Sequence, residues 1–335
     1  MMNWAQGYLS EYYATKVDPA TWRDIERIEI TGGSVKREST GLQNSANIYC
    51  DKYPEGIEQW IRIYMDTRQG GSNEHVALFT GLATSPARDM DGVIETSAIE
   101  CYSVLKPAQD VLLLRGWYAP AGASGATIIK DLLSVIPAPV TVAENAPQLT
   151  ESIIAEDGET RLSMTEKILT AIDWRIRVTG FGSVSIEPKS VEPVATFDPL
   201  EFDVLETQIK VKADWFSAPN VFMAVSGDVS AIARDDSLKS PLSTKNRGRE
   251  VWAEDAAANL ADNQTIEQYA QTQLELAQKV GKTVGYDRRF MPDTYPGDVV
   301  SLRYPEQGAD GDFMISSQSI ELAYEARTSE EVTSL

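Results

Sequence analysis

In the first hundred residues, apolar side chains recur at every second position. Ile61, Ile63 and Met65 alternate with Trp60, Arg62 and Tyr64, and Val76, Leu78, Thr80 and Leu82 form a second set. A period of two predicts strands with one covered face and one wetter face. Ile25, Ile28 and Ile30 give a looser version before Gly32-Gly33, and Gly70-Gly71 separates the two clear runs. Asp91-Gly92, followed by Val93 to Ile99, is a hairpin signal. Short strands at this spacing predict a barrel or sandwich from about Trp22 to Tyr102.

The pattern changes near Leu105. Gly116 to Gly122 reads as a loop. Ile128, Ile129, Leu132, Leu133 and Ile136 then share one helical face over 126–136, which Pro137 and Pro139 end. Asp157-Gly158 predicts another hairpin. Ser163-Met164-Thr165-Glu166 has capping-box spacing and opens a helix with Ile168, Leu169 and Ile172 inward. Trp174, Ile176 and Val178 alternate, Gly180-Phe181-Gly182 turns the chain, and Val184 and Ile186 alternate back. These features predict a compact α/β module ending near Pro188. A linker-like run with Pro188, Pro193 and Pro199 follows.

Ile209 to Trp215 and Val221 to Val225 predict paired strands about a turn at 217–220. Residues 235–249 read as a polar loop. Thr265-Ile266-Glu267-Gln268 is a second capping box, with Ile266, Tyr269, Ala270, Leu274, Ala277 and Val280 on one helical side and Gly281 at the C′ position. Thr294 to Tyr324 reads as a β-meander. Tyr295-Pro296-Gly297-Asp298 turns into Val299–Tyr304, and 308–312 turns into Phe313–Ile315 and Ser319–Leu322. The β signal of 202–225 thus stops and resumes near Tyr295. That order predicts one β domain carrying a loop-and-helix insertion, with Val299, Leu302 or Tyr304, Ile315 and Ile320 packed on the strands of 209–225.

Composition narrows the function. The 335 residues suit two or three domains, and 50 acidic against 30 basic residues give a net charge of −20, spread from Glu11 to Glu331. Such a surface repels phosphates and anionic lipid, which argues against sequence-specific nucleic-acid binding. No membrane span is expected, because Val111-Leu112-Leu113-Leu114 stops at Arg115. The first residues lack the charged and apolar regions of a signal peptide, which predicts synthesis in the cytoplasm. Cys50 and Cys101 lie in strand-like runs and are expected as two buried thiols, with a single bridge as the alternative.

Catalytic chemistry has little to stand on. His75 is the only histidine, which argues against multi-His metal sites and Ser-His-Asp or Cys-His machinery. It is expected exposed at a loop tip. Carboxylate pairs such as Asp235-Asp236 and Glu330-Glu331 sit in polar segments and read as solvated. Asp310 and Asp312 around Gly311 could hold a hard cation, but lack the longer ligand series and read as a plain turn. Gly180-Phe181-Gly182 is too short for a dinucleotide fingerprint. Lys239, Lys245, Arg247 and Arg249 form a local basic cluster, expected to meet an acidic neighbour or solvent. Trp4, Tyr8, Tyr12 and Tyr13 could dock on a partner or pack on the chain's own first domain. No catalytic residue, cofactor or metal is expected.

The order of elements resembles the central tail-hub or baseplate-hub proteins of tailed bacteriophages and related contractile particles. Tyr118-Ala119-Pro120-Ala121-Gly122 before the helix at Ile128, Trp174 to Gly182 leading to Ile186-Glu187-Pro188, Asp214 to Asn220, and Pro296-Gly297-Asp298-Val299-Val300 with Gly311-Asp312-Phe313 carry the likeness. It implies an α+β, mainly β fold with two tube-like antiparallel β-barrels. The first would span 1–105, a small α/β module 106–193, the second barrel 194–230 and 286–335, and its loop-and-helix insertion 231–285. It further implies a homotrimer whose two barrels per chain make a pseudo-six-fold ring around the ejection channel. The implied partners are the tail tube protein, a central spike or tail-tip protein, other baseplate proteins and the tape-measure protein, in a virion or tail-like particle assembled in the host cytoplasm. No appended peptidase, lysozyme or needle is expected. Two other readings stay open: a β-rich receptor- or carbohydrate-binding tail protein, and a carboxylate-dependent cell-wall hydrolase.

Overall fold

A computed structural model describes residues 2–51, 58–84, 87–91, 94–200, 205–256, 258, 264–279 and 281–335. The fold is α+β and mainly β. The described residues open with the strands β1 (Leu9–Val17), β2 (Asp24–Glu29), β3 (Gly32–Glu38), β4 (Asn44–Cys50), β5 (Gln59–Gln69), β6 (Ser72–Ala83), β7 (Ala87–Asp91) and β8 (Ile94–Ser103). β7 pairs with β8 from Asp91 opposite Ile94, the expected hairpin, although Gly92 and Val93 lie outside the described residues. The module follows as α1 (Lys106–Asp110), β9 (Tyr118–Ala119), α2 (Gly125–Leu132), β10 (Val140–Val142), β11 (Ile153–Ile154), α3 (Arg161–Ala171), β12 (Trp174–Val178) and β13 (Val184–Pro188). Then come β14 (Pro193–Phe197), β15 (Leu205–Ala213), β16 (Val221–Ser226), β17 (Val229–Arg234), α4 (Thr244–Arg247), β18 (Trp252–Asp255), α5 (Ile266–Ala277), β19 (Lys282–Arg288), β20 (Val299–Tyr304), β21 (Ala309–Glu321) and β22 (Thr328–Ser334).

Among the described residues fourteen strands form one sheet, in the order β15-β19-β22-β21-β3-β4-β8-β6-β5-β1-β2, with β7 on β8 and with β20 joining β14 to β21. The two sets of strands expected as barrels are therefore joined by β21. Its first residues pair with β20, and Ser317 to Glu321 pair with β3. The early strands curl around a core that includes Ala14, Ile28, Val35, Ile48, Ile61, Ile63, Phe79 and Ile99. Ile320 and Leu322 from the end of β21 enter the same core. The N-terminal aromatics pack on their own chain: Trp4 meets Tyr8 and Phe290 edge-on, and the Tyr12 hydroxyl donates to the Ala323 carbonyl at 2.6 Å.

Chain folding divides into two compact units, 1–210 with 285–332, and 211–284 with 333–335. In the second, α5 packs on the sheet β17-β16-β18, with Phe222, Ala224, Ala231, Ala233, Ile266, Ala270 and Leu274 between them. Small alanines on the strands let the helix approach closely.

Several local expectations shift. β15 and β16 do not pair with each other. β15 lies beside β19 in the large sheet, whereas β16 pairs with β17 and, in parallel, with β18. The strand that β20 takes besides β21 is β14, from the run read as a linker. Val299, Leu302, Tyr304, Ile315 and Ile320 are buried as expected, but β20 bonds to β14 and not to the strands of 209–225. The capping box of α3 begins at Thr160: Ser163 N donates to Thr160 Oγ1, and Thr160 N donates to Ser163 Oγ. Glu166 instead accepts from Gly41 N at 2.8 Å. Thr265 and Gln268 do cap α5 reciprocally. That helix ends at Ala277, so Gly281 is not its C′ residue, and Val280 lies outside the described residues. Asp157-Gly158 turns β11 into α3 and is no β-hairpin. The turn before β21 is Pro305–Gln307 closed by Gly308 at φ 75°, so Asp310 and Asp312 already lie on the strand.

The most informative departure is in β5 and β6. β4 alternates as a half-covered strand should, but Ile61, Arg62, Ile63, Tyr64 and Met65 are all buried, as are Ala77 to Gly81. One face meets the core. The other is covered by the β12–β13 turn, where an added Cβ on Gly180 would stand 1.8 Å from the Ala77 carbonyl oxygen. Only a residue without a side chain fits that approach. Gly180→Ala should destabilise the chain by about 1–3 kcal/mol through forced separation of the two layers. Gly32→Ala, which would meet nothing within 4 Å, should be nearly neutral. Urea unfolding of both variants checks the difference.

Candidate functional site

The β12–β13 hairpin forms because Trp174, Ile176, Val178, Val184 and Ile186 all point into the module's core, leaving Arg175, Arg177 and Glu187 on the other face. That polar face meets the turn expected at 295–298. Pro296 and Gly297, at φ 85°, bend the chain, and Asp298 N donates back to the Tyr295 carbonyl at 3.0 Å. Asp298 is 1% exposed, and its Oδ2 accepts from Tyr295 N at 3.0 Å. Its Oδ1 receives Arg175 at 3.0 Å and also Arg177. Arg175 reaches Glu187 at 2.7 Å, and Arg177 Nε lies 3.1 Å from Glu187 in ion-pair but not hydrogen-bond geometry. Two cations and two carboxylates thus join the module to the turn before β20.

A second junction lies beside it. Arg62 on β5 donates to Thr80 Oγ1 at 2.9 Å and pairs with Asp24 at 2.9 Å, and Tyr64 Oη donates to Asp24 at 2.6 Å. Thr80 Oγ1 donates to the Gly180 carbonyl at 2.7 Å, and Trp22 Nε1 donates to the Phe181 carbonyl at 3.0 Å. The β3–β4 turn is tied to the module by Gln43 Nε2 on the Ile176 carbonyl at 2.9 Å. Thr80, Trp22 and Gln43 thereby find backbone acceptors on the module.

The candidate chemical residues are dispersed. Cys50 and Cys101 are buried and unbridged, and burial pushes both thiols above the ordinary range. His75 sits on β6 and not at a loop tip; it is exposed, stacks on Tyr64 and lies 2.5 Å from Asp66. Asp235 and Asp236 cap their own loop, taking Ser237 N and Thr244 Oγ1 respectively. Asp312 accepts from Ser301, and Arg303 lies 3.8 Å from both Asp310 and Asp312. Arg247 and Arg249 donate to the Phe216 carbonyl, and Arg247 also to that of Ala218. No ion pair joins either arginine to a carboxylate among the described residues. Among those residues no group of three His, Cys, Asp or Glu is placed to hold a metal ion. No described helix is long and apolar enough to cross a membrane.

Glu330 corrects the solvated reading of Glu330-Glu331. It is buried and ion-paired with the equally buried Arg288, which also donates to Thr294 Oγ1 at 2.7 Å. The signal was present as a period of two: Thr328, Glu330 and Val332 share the covered face of β22.

Two exposed surfaces stand apart from these joints. Leu112, Leu114, Tyr118 and Ile154 are exposed on the module, Leu114 at 84%, and Tyr118 lies directly opposite Ile154. In the other unit, Trp215 and Phe216 are 53% and 75% exposed and line an open cleft of about 560 Å³ with Pro241, Leu242, Arg247 and Arg249.

No protein-family model matches the chain, and no curated protein matches it in sequence. Solved structures match its fold. It is similar to the 43 kDa tail protein of prophage MuSo2 from Shewanella oneidensis, at a TM-score of 0.66 and 13% identity over 97% of both chains. A tail protein from Neisseria meningitidis MC58 matches at 0.64 and 16% identity, over 98% of this chain and 97% of the other. A chain of the half-lidded Francisella PdpA-VgrG complex matches at 0.59 and 9% identity, over 98% of this chain and 58% of the other. The chain therefore has the fold of phage tail proteins.

Replacing Asp298 by Ala leaves Arg175 and Arg177 short of a buried counter-charge and should cost roughly 3–5 kcal/mol. Denaturant titration measures it. Stability should also fall at high pH. Burial raises the Tyr12 and Tyr64 phenols to about 12, so both stay protonated in the fold after those of the unfolded chain ionise near 10. Their contribution is present below about pH 10 and is lost as pH rises towards about 12. Tyr12→Phe should flatten that decline in unfolding curves taken from neutral to alkaline pH.

Proposed function

We propose that this chain is a structural hub at the tail tip or baseplate of a phage or phage tail-like particle. In this reading it forms a trimeric, pseudo-six-fold ring that joins the tail tube to the central spike and surrounds the ejection channel. The supporting observation is end-to-end likeness to a prophage tail protein, together with a sheet whose two strand sets are joined through β21. Likeness to a chain of the Francisella PdpA-VgrG complex supports a place beside a spike. In this reading the role is structural and not enzymatic, and buried ion pairs such as Arg288 with Glu330 serve to hold the fold. Domain limits of 1–105, 106–193, and 194–230 with 286–335 around an insertion at 231–285 belong to the same proposal. Part of the acidic surface would line the channel and keep DNA or the tape-measure protein from adhering.

One observation favours a second reading, receptor or carbohydrate binding by a tail protein: the open cleft carrying Trp215 and Phe216. Mass measurement of the protein alone and with a co-encoded spike candidate separates the two. The hub reading expects a trimer, alone or on meeting the spike; a monomer in both conditions overturns it. In an assembled ring, a neutral or basic lumen would remove the proposed use of the acidic surface.

A further inference from the structure

Arg37 points inward from β3 and is 3% exposed. Its Nη2 donates to the Leu78 carbonyl at 2.8 Å, and its guanidinium lies 4.5 Å from the centre of the Tyr295 ring. Its Nη1 is buried with no partner among the described residues. The other deeply seated arginines differ: Arg62 has Asp24, Arg175 and Arg177 have Glu187 and Asp298, and Arg288 has Glu330. No described ion pair includes Arg37. Burial pulls its guanidinium below the ordinary value; Tyr295 opposes that shift and Arg288, another cation, adds to it. A guanidinium nonetheless remains charged in a protein. An unmatched buried charge is destabilising by several kcal/mol unless something neutralises it.

A small void adjoins this charge. Arg37, Glu38, Gln43, Arg177, Val178, Tyr295 and Pro296 bound about 10 Å³ open to the centre of a water-sized sphere. Glu38 follows Arg37 on the strand, so its side chain leaves by the opposite face and is exposed. Arg177 brings a second cation, but its charge is already shared with Asp298 and Glu187. Arg37, Arg175 and Arg177 face Asp298 and Glu187, and the remaining carboxylate at the void, Glu38, is exposed and forms no described ion pair. The void has room for one water or one monatomic ion and not for a sulfate or phosphate. A water would accept from Nη1 and leave the charge unbalanced.

We propose that this void binds a small monovalent anion of the halide class, held by Arg37 and Arg177. The ion would sit where β3, β12 and the turn before β20 meet, and would lock the α/β module onto the large sheet. The proposal stands independently of the hub reading.

Thermal unfolding of the full chain in sodium chloride, sodium bromide and sodium gluconate at equal ionic strength tests it. Chloride and bromide should raise Tm saturably by about 2–4 °C over gluconate. Arg37→Met should abolish that dependence whatever its own Tm. Equal Tm in chloride and gluconate overturns the proposal and leaves the void to water. An undiminished chloride response in Arg37→Met also overturns it, because the ion then sits elsewhere. Should the variant not fold, anomalous scattering from bromide-grown crystals of the unaltered protein decides: a peak beside Arg37 Nη1 supports the site, and its absence rejects it.

Discussion

The structure depends on a backbone-to-backbone approach. At Gly180 the β12–β13 turn lies so close to Ala77 that no side chain fits between them. That contact turns the outer face of β5 and β6 from a solvated surface into an interior. Arg62 and Thr80, which on an ordinary half-covered strand would face water, must then find partners within the protein. They do so in Asp24, Gly180 and Phe181. Gly182 repeats the constraint, since a Cβ there would stand 2.8 Å from Thr80 and 2.9 Å from Trp22. Layer contact comes first, and the polar network is its consequence.

A second joint fixes the module from the other side. Asp298 belongs to the turn that starts β20, yet its charge is matched by arginines on β12. β20 pairs with β21, and β21 continues into the first set of strands through β3. Sheet hydrogen bonds thus tie β20 to the early strands, and buried ion pairs tie the module to the turn before β20. Movement of the module would strand buried charge at Asp298 and buried donors at Arg62. Both penalties are larger than those of exposed ion pairs, which contribute little in water. A rigid junction of this kind suits a part that must hold geometry in an assembly, as the hub reading requires.

The charges that carry these joints were the least legible part of the chain. Glu330 beside Glu331 looks solvated because burial of a carboxylate depends on a cation 42 residues away, Arg288. Arg62 and Arg175 sit in alternating strands where the wetter face is the natural expectation, and only the neighbouring layer reverses it. His75 follows Gly70-Gly71 closely enough to look like a loop residue, but the strand register opposite Asp66 extends β6 over it. Strand partners were similarly hidden. β14 lies in a proline-spaced run, and nothing local says that it will pair in parallel with β20.

By itself the sequence determined the features whose signals are local. Period-two runs set β5, β6, β12 and β13; Thr265 and Gln268 set the start of α5; Pro296-Gly297 set the turn before β20; and the mainly β class followed from their sum. These depend on backbone preference and on side chains within a few residues of one another. Tertiary structure alone decided which strands became neighbours, that β16 left the large sheet, and which charges were buried. Those outcomes rest on contacts between segments far apart in the chain, where burial and pairing are properties of two surfaces and not of either one.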